Sequence, residues 1–266
     1  MGSSSTGQGN AEWVSIDSLI QELAREGRVT RTFRHLDPKR QYAVVNAILA
    51  EAAARGPTEI NIKEVARRAG VSVGSLYQYF GNRDGLLGFA VALSVGYTVG
   101  LFEQFGPELA ALPLRDALHT YLMGGLEWGE TEQGLVRFLC RAAYQGESEL
   151  TASVVRPVAD VMLNVVREML RQAAERGEID RDRDLEAAAR VVNVMLIAVG
   201  DSQLLPYLNQ YTRVSDDGVA LDRVIDSMLS IIVDGLGRGP GPAGDSKVGD
   251  DGLPADSVTP QEKHHE

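Results

Sequence analysis

Eleven basic side chains fall between Arg25 and Arg83, against five acidic ones, in a chain of 266 residues whose formal net charge is −11. A local excess of positive charge in an acidic protein suits a phosphate backbone, because a binding footprint responds to nearby charge rather than to the total. Within that stretch, Val65-Ala66-Arg67-Arg68-Ala69-Gly70-Val71-Ser72-Val73-Gly74-Ser75-Leu76-Tyr77-Gln78-Tyr79-Phe80 mixes cations with hydroxyl, amide and phenol groups. Arginine and lysine neutralise phosphates, hydroxyls donate to phosphate oxygens, and amide side chains read base edges. Other chemistry is missing from the sequence. It has no glycine-rich phosphate loop, no paired carboxylates in a catalytic setting and no Ser- or Cys-His arrangement, so no enzyme is expected. Four histidines and one cysteine offer no metal-ligand set, and no cofactor is expected. Cys140 alone rules out an intramolecular disulfide.

Short helices must position these groups. Asp37-Pro38 supplies a capping acceptor followed by proline at the first helical position, and Gly56-Pro57 closes that helix. Val45, Ile48, Leu49 and Ala52 form its buried stripe. Asn61 and Glu64 have capping-box spacing ahead of a second helix with Ile62, Val65, Ala66 and Ala69 inward. Gly70 closes it, because glycine adopts positive φ without strain. A third helix runs from about Ser72 to Tyr79, and another opens after Asn82. Val71 plugs the angle between the second and third helices, and Leu76 and Phe80 face the core. Val73, Gly74, Ser75, Tyr77 and Gln78 are left outward, the physical form of a helix-turn-helix whose second helix enters a major groove. Tyr77, Tyr79 and Phe80 as core aromatics, and Arg67-Arg68 as a solvated face, are the competing interpretations.

The stretch from Ile62 to Leu87 resembles the tetracycline-repressor-type (TetR/AcrR) family. The matching residues are Val65-Ala66, Ala69-Gly70-Val71-Ser72, Gly74, Leu76-Tyr77, Tyr79-Phe80, Arg83 and Leu86. The resemblance implies a DNA surface built from Asn61, Lys63, Arg67, Ser72, Val73, Gly74, Ser75, Tyr77, Gln78, Tyr79 and Arg83. Val73 and Gly74 would approach base edges, and Ser75, Tyr79 and Arg83 would bind phosphates, with Lys63 and Arg67 adding charge. Asn61 stands where threonine is common, and Arg83 where lysine is more usual. The implied function is a transcriptional repressor that binds a palindromic operator in double-stranded DNA as a homodimer and is released by a small-molecule effector. A ligand-independent architectural or interaction protein is the alternative.

The rest of the chain reads as helix, which makes the fold class all-α. Helices are expected at about 83–105, 113–128, 132–145, 148–176, 182–210 and 220–236, with breaks that include Gly106-Pro107. Four regions follow. Residues 1–36 form an extension with a short amphipathic helix and a basic arm of Arg28, Arg31 and Arg34, which reaches a minor groove or serves as a solvated connector. Residues 37–82 form the DNA-binding domain, 83–236 a ligand-binding and dimerisation domain, and 237–266 a disordered tail. Candidate cavity residues are Tyr97, Phe102, Tyr121, Met123, Trp128, Phe138, Arg141 and Tyr144, which combine apolar surface with a few polar handles. The last two long helices carry broad apolar faces suited to a four-helix dimer interface. Asp201, Ser202 and Gln203 interrupt the first of them, as interface contacts or a kink. No uninterrupted run of 18 apolar residues and no secretory leader occurs, so the expected location is the cytoplasm, without a membrane partner.

Overall fold

The computed structural model describes residues 18–145 and 150–237. The expected cap at Ser15, the Ser/Gly-rich start and the tail beyond Gly237 lie outside them. Among the described residues every regular element is helical.

Helix α1 covers residues 18–25, and α2 is the single turn Arg31–Arg34. Three helices follow: α3 Pro38–Arg55, α4 Ile62–Ala69 and α5 Val73–Phe80. Then come α6 Arg83–Ala111, α7 Leu114–Thr131 and α8 Gln133–Gln145. A π-helical turn at Thr151–Val155 leads into α9, Arg156–Arg176. The chain closes with α10 Leu185–Leu204, α11 Pro206–Thr212 and α12 Leu221–Leu236.

Two large cores organise these helices. The first runs from Ile20, Leu23, Val29 and Phe33 through the α3, α4 and α5 residues Ile48, Val65, Leu76 and Phe80 to Phe89 and Leu93 of α6. The second joins the far half of α6 to α7, α9, α10 and α12 around Leu118, Met169, Leu170, Leu196 and Leu229. A small third core, with Val95, Phe138, Ala142, Val154 and Val158, lies between them. The first core therefore crosses both expected boundaries of the DNA-binding domain, at residue 37 and at residue 82.

The expected basic arm is part of that first core. Phe33 is fully buried and packs against Tyr79, Phe80 and Phe89. The Thr30 amide donates to the Tyr79 carbonyl at 2.8 Å, and its hydroxyl donates to the Gln78 carbonyl at 2.7 Å. Arg28 pairs with Glu26, while Arg31 and Arg34 stay exposed on α2. On the other side, Leu19 fills a notch in α6, where a methyl group on Gly96 would lie 2.4 Å from its Cδ1.

Three expected breaks move. Gly106-Pro107 does not end α6. Gly106 is buried where α6 crosses α9, and a Cβ there would meet Val165 Cγ2 at 3.1 Å. Pro107 and Glu103 both face solvent, so the carbonyl that proline leaves without its helical donor can turn to water. The helix expected over 182–210 is divided at Leu205-Pro206, where proline starts α11. The expected break at Gly129 to Thr131 falls one residue later, at Glu132. Helix α6 also contains an 18-residue window of mean hydropathy 1.8, long and apolar enough by composition to cross a membrane. Every such window still includes Ser94 and Thr98, so the apolar run is not uninterrupted. Here its apolar residues are divided among all three cores.

Candidate nucleic-acid interface and effector cavity

Four caps fix the helix-turn-helix and its junctions. The Asp37 carboxylate accepts the Arg40 amide at 3.1 Å. Asn61 Oδ1 accepts the amides of Lys63 and Glu64. Ser72 Oγ accepts the Ser75 amide at 2.9 Å, and Asn82 Oδ1 the Gly85 amide at 2.8 Å. Each satisfies a backbone donor that a helix start leaves free. Gly70 sits in the left-handed region at φ 67° and ψ 32°, which lets the Val71 amide reach back to the Ala66 carbonyl.

The capping box is only half formed. The Asn61 amide donates to Glu51, not to Glu64. Glu51 is almost wholly buried and also forms an ion pair with Arg55 at 2.9 Å, with Arg68 3.7 Å away. Glu64 instead takes a two-point contact from Arg67 and a further bond from Arg68. Those arginine hydrogen bonds hold its carboxyl down at about 2.

The recognition helix α5 divides cleanly. Leu76 and Phe80 are buried, as expected, and Tyr79 joins them at 7% exposure. Its ring packs against Phe33 and Phe80, so the core interpretation holds for Tyr79 and Phe80. Gly74 and Gln78 are exposed, and Val73, Ser75 and Tyr77 are half-buried. Ser72 and Ser75 share a hydroxyl contact at 2.9 Å. Lys63, Arg67 and Arg83 are exposed around this face, with Asn61 and Ser72 at the helix starts. Hydroxyls and an amide are thus presented along α5, with exposed cations on the flanking helices α4 and α6.

The helical body holds two apolar cavities of about 480 and 280 Å³. The larger is bounded by α6 and α7, with Leu101, Phe105, Leu109 and Gly124 in its wall. The smaller lies against α8, α9 and α10, and is lined by Leu139, Cys140, Met162, Leu196 and Asp201 among others. Thr98, Phe102, Tyr121, Gly125 and Trp128 belong to both walls. The Phe102 and Tyr121 rings meet tilted at 41°, with centroids 5.9 Å apart.

Three of the expected cavity residues, Phe102, Tyr121 and Trp128, are thus brought together. The other five are elsewhere. Tyr97 is half-buried on α6 outside both walls, and Met123 faces solvent. Phe138 belongs to the third core. Arg141 reaches 2.7 Å to Glu59, tying α8 to the loop after α3. Tyr144 is exposed and donates to Asp201 at 2.6 Å. Arg137, the neighbour of Arg141 on the same helix face, bonds Gln133. Sequence reasoning missed Thr98, Leu101, Asp201 and the Gly124-Gly125 pair. A glycine pair inside a helix that does not end there was the available signal for empty space.

Asp201, Ser202 and Gln203 all find partners in their own chain. Asp201 accepts from Tyr144 and lies 3.9 Å from the Cys140 thiol. Burial raises its carboxyl, and burial with the nearby carboxylate pushes the Cys140 thiol up to about 12. Ser202 contacts Thr212, and Gln203 donates to Ser215. Among the described residues no His, Cys, Asp and Glu cluster could hold a metal ion.

Residues 44–88 match the family model described as bacterial regulatory proteins, tetR family. The HTH-type transcriptional regulator SrpR of Pseudomonas putida is 25% identical over 155 residues, covering 56% of this chain and 67% of SrpR. A TetR-family transcriptional regulator of Mesorhizobium loti superposes with a TM-score of 0.53 at 18% identity, over 79% of this chain and 100% of the other. A protein solved in work on the control of antibiotic production by a bacterial hormone gives a TM-score of 0.52 at 16% identity, over 76% and 99% of the two chains. The capped helix-turn-helix and these matches agree: residues 44–88 form a tetR-family DNA-binding region, and the all-helical body behind it shares the fold of the solved TetR-family structure.

Proposed function

We propose that this regulator is a cytoplasmic repressor that binds a palindromic operator as a homodimer and is released by a small molecule held in the helical body. The observation that carries the DNA reading is the face of α5. Its apolar side is spent on Leu76, Tyr79 and Phe80, and its other side offers Gly74 and Gln78 with Ser75 and Tyr77 at the edges. Gln78 is suited to a base edge, and Arg83 and Lys63 to flanking phosphates. Tyr79 stays in this set only through its hydroxyl, because its ring is core.

Support for the dimer comes from α10 and α12. Their inward residues Val192, Leu196, Val199, Ile225 and Ile232 are buried within one chain. Yet Val191, Val194 and Ile231 remain 60%, 64% and 66% exposed. Large apolar side chains left out on neighbouring helices suit a self-complementary twofold interface.

Coupling has two physical routes. Helix α6 carries Leu86 and Phe89 in the head core and Thr98, Leu101 and Phe102 in the cavity walls. The α3 C-terminus rests directly on α8, joined by the Glu59–Arg141 pair. A molecule that moves α6 or α8 shifts the head, by no more than its differential affinity for the two arrangements.

The test is sequencing of DNA bound by the dimer at moderate salt. One enriched palindrome supports the reading, and only salt-sensitive, sequence-independent binding replaces it with an architectural role. Arg83→Ala is expected to weaken binding to all sequences and lower the salt slope by about 1. Gln78→Ala is expected to relax preference at one base pair, costing about 1–3 kcal/mol of discrimination.

A further inference from the structure

The two cavities share a wall, and that wall contains two polar atoms without partners. The Tyr121 hydroxyl and the Trp128 indole nitrogen are buried and make no hydrogen bond. Ser94 Oγ and Asn193 Oδ1 are also unpartnered, but neither residue lines either of these two cavities. Tyr121 and Trp128 are seven residues apart on α7, so they project from one side of the helix, two turns from each other. The indole N–H is a donor only. Burial holds the Tyr121 phenol well above its ordinary value, so it too stays protonated and able to donate.

The remaining lining residues set the charge. Among the described residues, neither wall contains Lys, Arg or His. The acidic members are Glu108, which is exposed, and Asp201, already engaged by Tyr144 and Cys140. A carboxylate ligand would meet no cation there, and an ammonium would compete with partners that Asp201 already has. On both sides of the shared wall the surface is apolar: Leu101, Phe105 and Leu109 on one side, Leu139, Met162 and Leu196 on the other.

We infer that the site takes an uncharged, elongated molecule whose hydrogen-bond acceptor lies between two apolar limbs. The limbs fill the two cavities by parting Phe102 from Tyr121. The acceptor, a ketone, ester or ether oxygen, then takes the donors that the empty wall leaves unsatisfied. This rests on the reading of the helical body as an effector site.

Trp128 reports the event directly. Trp13→Phe leaves it as the chain's one tryptophan, because the sequence has two. In that protein, 6-undecanone, 2-undecanone, undecanoate, undecylamine and undecane are titrated while Trp128 emission is followed. The expected order puts 6-undecanone first, ahead of its terminal-ketone isomer and the alkane. Adding Tyr121→Phe is expected to weaken 6-undecanone roughly 3- to 10-fold and to leave undecane unchanged. Tighter binding of undecanoate or undecylamine, equal binding of the two ketones, or no binding by any probe overturns the inference. Operator affinity measured in the same samples separates the two readings. If 6-undecanone binds in the expected order but leaves operator affinity unchanged, the inference stands and effector release falls. If undecanoate binds tightest and releases the operator, release stands and the inference falls.

Discussion

The Phe33 ring meets those of Tyr79, Phe80 and Phe89 at centroid distances of 5.9, 5.4 and 6.2 Å and has no exposed surface. Phe33→Ala empties the middle of that cluster and is expected to cost about 3–5 kcal/mol, read as a lower urea midpoint. Arg31→Ala, two residues away on the exposed side of the same turn, is expected to move the midpoint by less than about 0.5 kcal/mol. Equal losses would mean that the turn matters through its charge instead. Cys140 makes a second residue-level prediction. Its folded pKa of about 12 lies above the 9.0 of an ordinary thiol. The folded state therefore keeps the proton longer than the unfolded one. This contribution to stability is complete below pH 9 and is lost as pH rises from 9 towards 12. Iodoacetamide at pH 8.5 is expected to modify Cys140 far more slowly than a free thiol, because the thiolate is the nucleophile. A rate equal to that of a model thiol would contradict the assignment.

At the scale of elements, sequence patterns were read well where the signal was local. Asp37-Pro38, Asn61, Ser72 and Asn82 each announced a helix start through a side chain that caps its own next turn. Gly70 announced a turn through its freedom at positive φ. What could not be read depended on partners far along the chain. The arginines of the expected arm dominated its composition, yet Phe33 decided its fold, and its partners lie beyond residue 78. Gly106 looked like a break because nothing nearby in sequence shows α9 crossing there. The exposed side of α5 was legible from its period, but the cavity was less so, since an aromatic at helical spacing fits a core as readily as a pocket. Gly134 belongs to the same class. A Cβ there would lie 2.3–2.6 Å from backbone atoms of Ala53, Ala54 and Arg55, so α3 and α8 touch backbone to backbone. Gly134→Ala is expected to force the two helices apart, lower the melting temperature and weaken operator binding even without an effector. Removing the exposed Glu59–Arg141 pair by Glu59→Ala is expected to cost no more than about 1 kcal/mol of stability, because such pairs are well screened. Its effect should appear in how strongly an effector changes operator affinity.

The whole molecule combines a helix-turn-helix head, a helical body with two apolar cavities, and an apolar flank that includes Val191, Val194 and Ile231. Val194→Glu places a charge in the middle of that flank without touching the chain's own core. The expected result is a folded monomer by light scattering with a near-native circular dichroism spectrum and far weaker operator binding. A dimer that survives the change would place the twofold contact elsewhere. The extent of the first core also has a consequence for synthesis. Ile20, Leu23 and Phe33 leave the ribosome early, but Tyr79, Phe80, Phe89 and the Gly96 notch that receives Leu19 follow some sixty residues later. At roughly 5–20 residues per second, those apolar side chains wait about 3–12 s for their partners. A nascent chain therefore cannot display a finished helix-turn-helix head until α6, the first helix of the body behind it, has been made.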